Sequence, residues 1–232
     1  MKKLLTLIAL LLSFHAYASG PNSEIRYKAE NKMDLMDEER FNCAIISHEY
    51  NATTQEGVIT FNGKLTKISP EAFNEASLEW LWLPDSIQDI GGFLFGWGSV
   101  KMFKGKYAAD NGRCLIINGK LVSMCYPLDV QDYRIPDGVT EICSGAFSFS
   151  NINSITIPAS VKKIHGNAFT EACSMIILES TKAPQIVGGE LHDQTGTDRA
   201  VFVAKVYVPK GSAATYKSAP YWKNVKDSIF EY

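Results

Sequence analysis

Cysteine and histidine are the side chains in this sequence best suited to nucleophilic chemistry. Cys143 and His165 lie 22 residues apart, which is the period of an internal repeat, so stacked repeats would place them in one column of neighbouring coils. A thiol beside an imidazole can attack an acyl group. No third orienting group or strained elbow motif accompanies the pair, and the alternative is that both are variable turn residues.

Other patterns typical of catalysis or metal binding are missing from the sequence. Beyond residue 18, the histidines His48, His165 and His192 show no metal-ligand spacing with one another or with a cysteine. The acidic residues 37–39 are typical of a solvated face, and residues 193–198 lack the length of an EF-hand loop. We therefore predict a protein without catalytic residues, metal or cofactor.

The cysteines are odd in number and form no CxxC motif; they are Cys43, Cys114, Cys125, Cys143 and Cys173. Cys114 and Cys125 flank a predicted turn at Asn118 and Gly119. A two-residue turn would place Cys114 opposite Ser123 and leave Cys125 a diagonal neighbour at roughly 7–8 Å, slightly beyond disulfide reach. Free, mostly buried thiols are expected, and this pair is the exception to check.

The first eighteen residues predict a secretory signal peptide. Lys2 and Lys3 precede an apolar run over residues 4–12, and a small-x-small site ends at Ala18. No cysteine comes directly after that site, and the first is Cys43, which disfavours a lipoprotein. We expect an exported protein (extracellular, cell-surface or periplasmic) that does not insert into a membrane after cleavage.

Charge argues against nucleic acid as a partner. Removing the two leader lysines leaves 25 acidic and 21 basic residues, and the basic residues form no cluster.

An internal repeat of 22 residues dominates the rest of the chain. Each copy ends in an apolar pair that comes four residues after an isoleucine, and four pairs follow this rule: Ala72-Phe73, Leu94-Phe95, Ala146-Phe147 and Ala168-Phe169. Between the second and third copies the gap is 52 residues, which equals one period plus an insertion of 30.

The repeat predicts a coil that cannot bury its own apolar face. Ile155 and Ile157 alternate with Thr156 as a short strand, and Pro158 ends it. Phe169 then fills the interior at a corner. Stacked coils share one core, so the prediction is a mainly β solenoid with one parallel sheet along its side, an inserted hairpin and a cap at each end.

These repeats closely resemble the BspA-like leucine-rich repeat family, which is common among exported proteins of host-associated bacteria. Residues 50–63 resemble the entry segment of that family, residues 105–122 a hairpin that it often inserts, and residues 207–222 its closing segment. The resemblance implies a short right-handed solenoid and adhesion-type roles.

The predicted organisation runs from leader to C-terminal cap. Its segments are a signal peptide (1–18), an N-terminal β cap (19–57), repeats (58–101), an inserted β-hairpin (102–130), repeats (131–184), a loop (185–204) and a C-terminal cap (205–232). Cap strands are predicted at residues 25–28, 45–50 and 58–61, a short helix is the alternative for residues 31–40, and a helix is predicted at residues 213–218. The glycine-rich residues 91–98 predict a distorted corner, and the strand register of residues 174–184 stays open.

Exposed strand positions are the strongest functional signal. Alignment of the strands predicts one outward-facing column of side chains, which contains Thr60, Trp82, Arg134, Thr156 and Tyr207. Trp80 adds a second tryptophan ring on the same side of the sheet. Such aromatic side chains suit ligand binding. The alternative is that the segment 102–126 folds back and covers the two tryptophans.

Two functions follow from these predictions. The first is a secreted or surface-associated binding module that recognises a host or bacterial protein or a glycan through this column. The second is a structural or assembly subunit of a cell-envelope complex with no soluble ligand. A hydrolase would require a pocket that joins Cys143 or Cys173 to a histidine.

Overall fold

A computed structural model describes residues 21–35, 38–148, 150, 152–169, 174–188 and 205–232. The predicted signal peptide, Cys173, His192 and residues 193–198 lie outside these ranges. No helix in the described part of the chain is long and apolar enough to cross a bilayer.

The secondary structure consists mainly of short strands. They are β1 Glu24–Lys28, β2 Ile45–Asn51, β3 Glu56–Phe61, β4 Lys67–Ile68, β5 Ser77–Leu78, β6 Trp80–Trp82, β7 Asp89–Ile90, β8 Ser99–Val100, β9 Phe103–Lys104, β10 Ala108–Ala109, β11 Cys114–Ile117, β12 Lys120–Met124, β13 Asp132–Arg134, β14 Glu141–Ile142, β15 Ser154–Ile157, β16 Lys163–His165, β17 Met175–Leu178, β18 Gln185–Val187, β19 Lys205–Val208 and β20 Ile229–Glu231. Helix α1 is Ala213–Ser218, and 3-10 turns lie at Glu38–Arg40, Asp110–Gly112 and Trp222–Ser228.

Each of the later repeats contributes one strand to each of two parallel ladders, which confirms the predicted solenoid and adds a second ladder to the one parallel sheet that was predicted. The first ladder joins β13, β15, β17, β19 and β20, and the second joins β14, β16 and β18. Ile155 pairs with Ile176 in the first ladder, and Ile142 pairs with Ile164 in the second. Register of this kind follows from the period, because equivalent aliphatic side chains of successive coils must meet in one interior.

The repeated phenylalanines form the predicted shared core. Phe73 and Phe95 have ring centroids 5.8 Å apart, and those of Phe147 and Phe169 are 5.3 Å apart. All four rings are buried in one hydrophobic cluster. Rings from neighbouring strands extend both pairs, since Phe103 lies 6.3 Å from Phe95 and Tyr133 lies 6.4 Å from Phe147.

The glycine-rich corner matches its neighbours at one left-handed position and departs from them at another, since Gly96 has a φ of 54° and the equivalent Asn74 has no positive φ. Phe93 has a φ of 54°, and the equivalent residues Glu71 and Gly145 have φ values of 58° and 66°. A left-handed residue therefore recurs at this column in three coils. The glycine-rich corner also differs from the others because its backbone lies very close to neighbouring coils at Gly91 and Gly92.

The insertion begins later than predicted. Strand β9 pairs in parallel with β6, so residues 103–104 belong to the solenoid rather than to the inserted hairpin. The hairpin itself is β11 and β12, and a bulge between Leu115 and Ile116 shifts its register. Cys114 therefore faces Met124 instead of Ser123. Strand β12 then pairs with β14, so the hairpin extends the second ladder.

The N-terminal cap is an antiparallel sheet. Strands β1, β2 and β3 confirm the three predicted strands, and β1 lies between β3 and β6. The described part of residues 31–40 contains the 3-10 turn Glu38–Arg40 instead of the alternative helix. The cap thus closes the first coil with paired strands and limits the exposed sheet edge.

A partly buried hydrogen-bonded pair, Tyr27 and His48, lies within this cap. The Tyr27 hydroxyl lies 2.7 Å from Nε2 of His48 and accepts a hydrogen bond from the Met33 N–H at 3.0 Å. Burial, followed by the charge of Lys32, lowers the pKa of His48 to about 4, so its imidazole is neutral at pH 7. His48 therefore has a structural role, as the hydrogen-bond partner of Tyr27 in the cap.

The C-terminal cap covers the last coil as predicted. Helix α1 has the predicted bounds, and Trp222 Nε1 donates a hydrogen bond to the Pro184 carbonyl at 2.8 Å. The predicted loop 185–204 is wrong at its start, because β18 pairs with β16 and adds a rung to the second ladder. The open register of residues 174–184 is settled by β17, whose Ile176 lies beside Ile155.

Candidate functional site

The outer surface of the first ladder presents one continuous row of side chains. In register, Arg134 neighbours Thr156, Thr156 neighbours Ile177, Ile177 neighbours Tyr207, and Tyr207 neighbours Phe230. We call these five residues the strand face. Because neighbouring strands lie about 4.8 Å apart, the row is roughly 19 Å long.

One end of the strand face is apolar and aromatic. The Tyr207 and Phe230 rings have centroids 5.8 Å apart, and Ile177 lies beside Tyr207. Phe230 is 44% exposed, and the C-terminal Tyr232 next to this strand is 58% exposed. This end offers a flat, apolar contact surface at the open edge of the sheet.

Arg134 forms a charged boundary at the other end. Its Nε donates to Glu179 Oε1 and its Nη2 to Glu179 Oε2, both at 2.9 Å, so the guanidinium spans from β13 to the residue just after β17. The same Nη2 also donates to Asp137, whose pKa it lowers. Arg134 is therefore held by two carboxylates within the chain, rather than presented alone to a carboxylate ligand.

Thr60 does not belong to this row, which corrects the predicted column. It lies on β3 and pairs with Glu24 of β1, and β1 separates β3 from β6. The column prediction assumed that the first repeat follows the entry strand directly. Instead an N-terminal strand inserts between them.

Trp80 and Trp82 are buried, which corrects the prediction that they are exposed. Trp82 is 2% exposed and lies between Arg26 and Lys104 in the sheet. The Lys104 ammonium lies 4.1 Å from the centre of the Trp80 ring, and the Arg26 guanidinium lies 5.7 Å from that of Trp82.

The start of the insertion also approaches Trp82. A Cβ at Gly105 would lie 2.5 Å from the indole nitrogen. The alternative prediction, in which the segment 102–126 covers the tryptophans, is therefore correct for Lys104 and Gly105. Strand β1 covers the tryptophans from the other neighbouring position in the sheet. Burial lowers the pKa of Lys104, and this lysine shields the rings from solvent.

Two members of the strand face were missed from the sequence. Ile177 follows Thr156 by 21 residues and Phe230 follows Tyr207 by 23. Both intervals depart from 22 by one residue, and a search that tolerated this slip would have found them. The remaining predicted residues, Arg134, Thr156 and Tyr207, do lie in one row.

Cys143 and His165 line one pocket, as the hydrolase hypothesis requires. We call it the corner cleft; it is a depression of about 570 Å³ with residues 70–71 and 90–93 on one wall. The opposite wall contains Lys120, Glu141, Cys143, Ser144, His165 and Asn167.

The chemistry of this pair does not favour a nucleophile. The imidazole Nε2 of His165 lies 2.9 Å from Glu141 Oε1. Burial, followed by the charge of Glu141, raises the pKa of the Cys143 thiol to about 11. A cysteine nucleophile needs the opposite shift, because the thiolate is the reactive species.

This environment predicts slow alkylation of Cys143 that does not depend on His165. At pH 7.4 its thiolate fraction is about a hundredfold below that of a thiol with a pKa of 9. We expect iodoacetamide to label Cys143 more slowly than the half-exposed Cys43, with site-resolved mass spectrometry as the measurement. His165→Ala should change the Cys143 rate by less than twofold, and a fall beyond fivefold would restore the hypothesis of a Cys–His pair.

The other described cysteines are also free thiols. Burial raises the pKa values of Cys114 and Cys125 to about 11. Among the described residues, no group of three or more His, Cys, Asp or Glu side chains could hold a metal ion.

The sequence of the coils identifies the family. The signature of the BspA type leucine rich repeat region matches residues 44–176 in six copies, which is more than half of the chain. This chain belongs to that family. The six copies exceed the four that we predicted.

This BspA-like chain matches only half of the length of a longer protein of known structure. A leucine rich cell surface protein from Faecalibacterium prausnitzii A2-165, known from its crystal structure, is similar with 18% sequence identity and a TM-score of 0.43. The alignment covers 71% of this chain and 50% of that protein. A search of curated proteins finds no match.

Proposed function

We propose that this BspA-like chain is an exported, non-catalytic binding module whose strand face recognises a protein partner. The observation that carries the proposal is the aromatic pair Tyr207 and Phe230 on the outer row of the open-edged sheet. Membership of a leucine-rich repeat family supports a binding role over a catalytic one.

The layout of the strand face favours a protein over a small molecule. Hot spots of protein interfaces are enriched in tyrosine and arginine and lie within a rim that excludes water. Here the apolar end contains Ile177, Tyr207 and Phe230, and the paired charges of Arg134 and Glu179 border it. A flat row of this kind suits a partner that is itself a folded or extended protein surface.

Binding should depend on the aromatic pair. Because hot-spot aromatics contribute about 2 kcal/mol or more, the double variant Tyr207→Ala/Phe230→Ala should weaken binding at least about thirtyfold. The measurement is biolayer interferometry of the full chain against immobilised fibronectin, laminin and collagen, with a glycan array in parallel. Tyr221→Ala is the matched control, since Tyr221 is an exposed aromatic outside the strand face.

Three outcomes would count against the proposal. Binding that survives the double variant would remove the strand face as the site, and glycan binding in place of protein binding would change the partner class. Absence of any ligand, together with co-purification of an envelope complex, would favour the assembly-subunit alternative.

A further inference from the structure

The corner cleft forms where the inserted hairpin separates β4 and β7 from the second ladder. Strands β4 and β7 pair only with each other among the described strands, and β12 of the hairpin precedes β14, β16 and β18 in the second ladder. At the corner the two parts meet again, because the Phe93 N–H donates to the Ser144 carbonyl at 2.6 Å. The cleft lies between these two blocks of coils, on a different ladder from the strand face.

The walls of the cleft present both hydrogen-bond donors and acceptors. Glu71 lies on the first wall, and Lys120 and Glu141 are cross-strand neighbours on the second. His165 contacts Glu141, and the Ser144 hydroxyl donates to Asn167 Oδ1 at 2.6 Å. Ladder register positions Lys120, Glu141 and His165, whereas Ser144 and Asn167 lie in turns and hold each other through their hydrogen bond.

Charge and shape select among ligand classes. Neither an anion nor a cation is favoured, because both carboxylates are already partnered within the chain: Glu71 lies 3.8 Å from Arg40, and Glu141 lies beside Lys120 and His165. The half-buried ring of Phe93 adds an apolar surface on the first wall. A volume of about 570 Å³ falls within the range of small-molecule sites, about 300–1,000 Å³.

We propose that the corner cleft binds a neutral mono- or disaccharide. Hydroxyl groups both donate and accept, so they match mixed walls of carboxylate, ammonium, amide and hydroxyl groups. The C–H face of a sugar ring can pack on Phe93. This site is separate from the strand face, and its ligand is independent of any protein partner.

The test is calorimetric titration of the full chain with neutral sugars. The probes are glucose, galactose, mannose, N-acetylglucosamine, maltose and lactose, with acetate and methylammonium as charged probes. At least one sugar should bind saturably. Glu141→Gln should weaken that binding about tenfold, because hydrogen bonds to charged groups are the stronger ones, and Phe93→Ala should weaken it by a similar factor.

Controls separate the cleft from general effects on the fold. Glu79→Gln alters an exposed carboxylate away from the cleft, paired with Lys101, and should leave sugar binding unchanged. Lys120→Ala replaces Phe93→Ala if the latter fails to fold. The proposal is overturned if no sugar binds, if a charged probe binds more tightly than every sugar, or if the cleft variants bind as the wild type does. Failure of protein binding at the strand face would leave each of these results unaffected.

Discussion

Replacing Phe147 with alanine should lower the free energy of unfolding by about 3–5 kcal/mol. The ring is fully buried, lies 5.3 Å from Phe169 of the next coil and 6.4 Å from Tyr133 of its own coil, and therefore links two coils. Truncation removes its apolar burial and leaves a cavity that both neighbours line. Urea unfolding followed by circular dichroism measures the loss.

The matched control for this variant is Phe230→Ala. Phe230 has the same side chain on the outer row and is 44% exposed, so its removal should cost less than about 1 kcal/mol. Hydrogen exchange should place the damage of Phe147→Ala in β13 and β14 of its own coil and in β15 and β16 of the next, since coils of a solenoid contact mainly their neighbours. A loss below 1 kcal/mol would contradict the shared interior on which the fold depends.

The core was predictable because its residues recur at a fixed interval. Phe73, Phe95, Phe147 and Phe169 occupy the same corner of successive coils, and such periodicity is visible without any knowledge of distant contacts. The caps were predictable for a similar reason, because alternation and a helix start signal are local.

The strand face was only partly predictable. Arg134, Thr156 and Tyr207 follow from alignment of the repeats, whereas the burial of Trp82 depends on Arg26, more than fifty residues earlier in the chain. Pairing of a cap strand with a coil is a long-range event that leaves no local pattern. Lys104, however, lies one period after Trp82, and this spacing could have placed β9 in the solenoid.

The corner cleft was not predictable from the sequence. Its column of Gly91, Cys143 and His165 follows from the period, but Lys120 joins the lining because β12 of the inserted hairpin pairs with β14. That pairing has no signal in the spacing of apolar residues.

Gly91→Ala should destabilise the protein by about 1–3 kcal/mol, although alanine is the smallest possible addition. A Cβ at this position would lie 2.3 Å from the Pro70 nitrogen and 2.4 Å from Pro70 Cδ. The Gly91 N–H also donates to the Ile68 carbonyl at 2.8 Å, so the backbone cannot move away without weakening a rung between the first two coils. Thermal and urea unfolding measure the loss.

Gly63→Ala provides the control, because its Cβ would lie 3.4 Å from Cys43 Sγ, an ordinary contact. This variant should unfold within about 0.5 kcal/mol of the wild type or be slightly more stable, since alanine restricts the unfolded chain. Equal stability of the two variants would contradict the close backbone approach at Gly91. Ser69, Cys143 and His165 have side chains in the same column, so the requirement for glycine comes from the tighter contact of this one coil with Pro70 and is not a rule of the repeat.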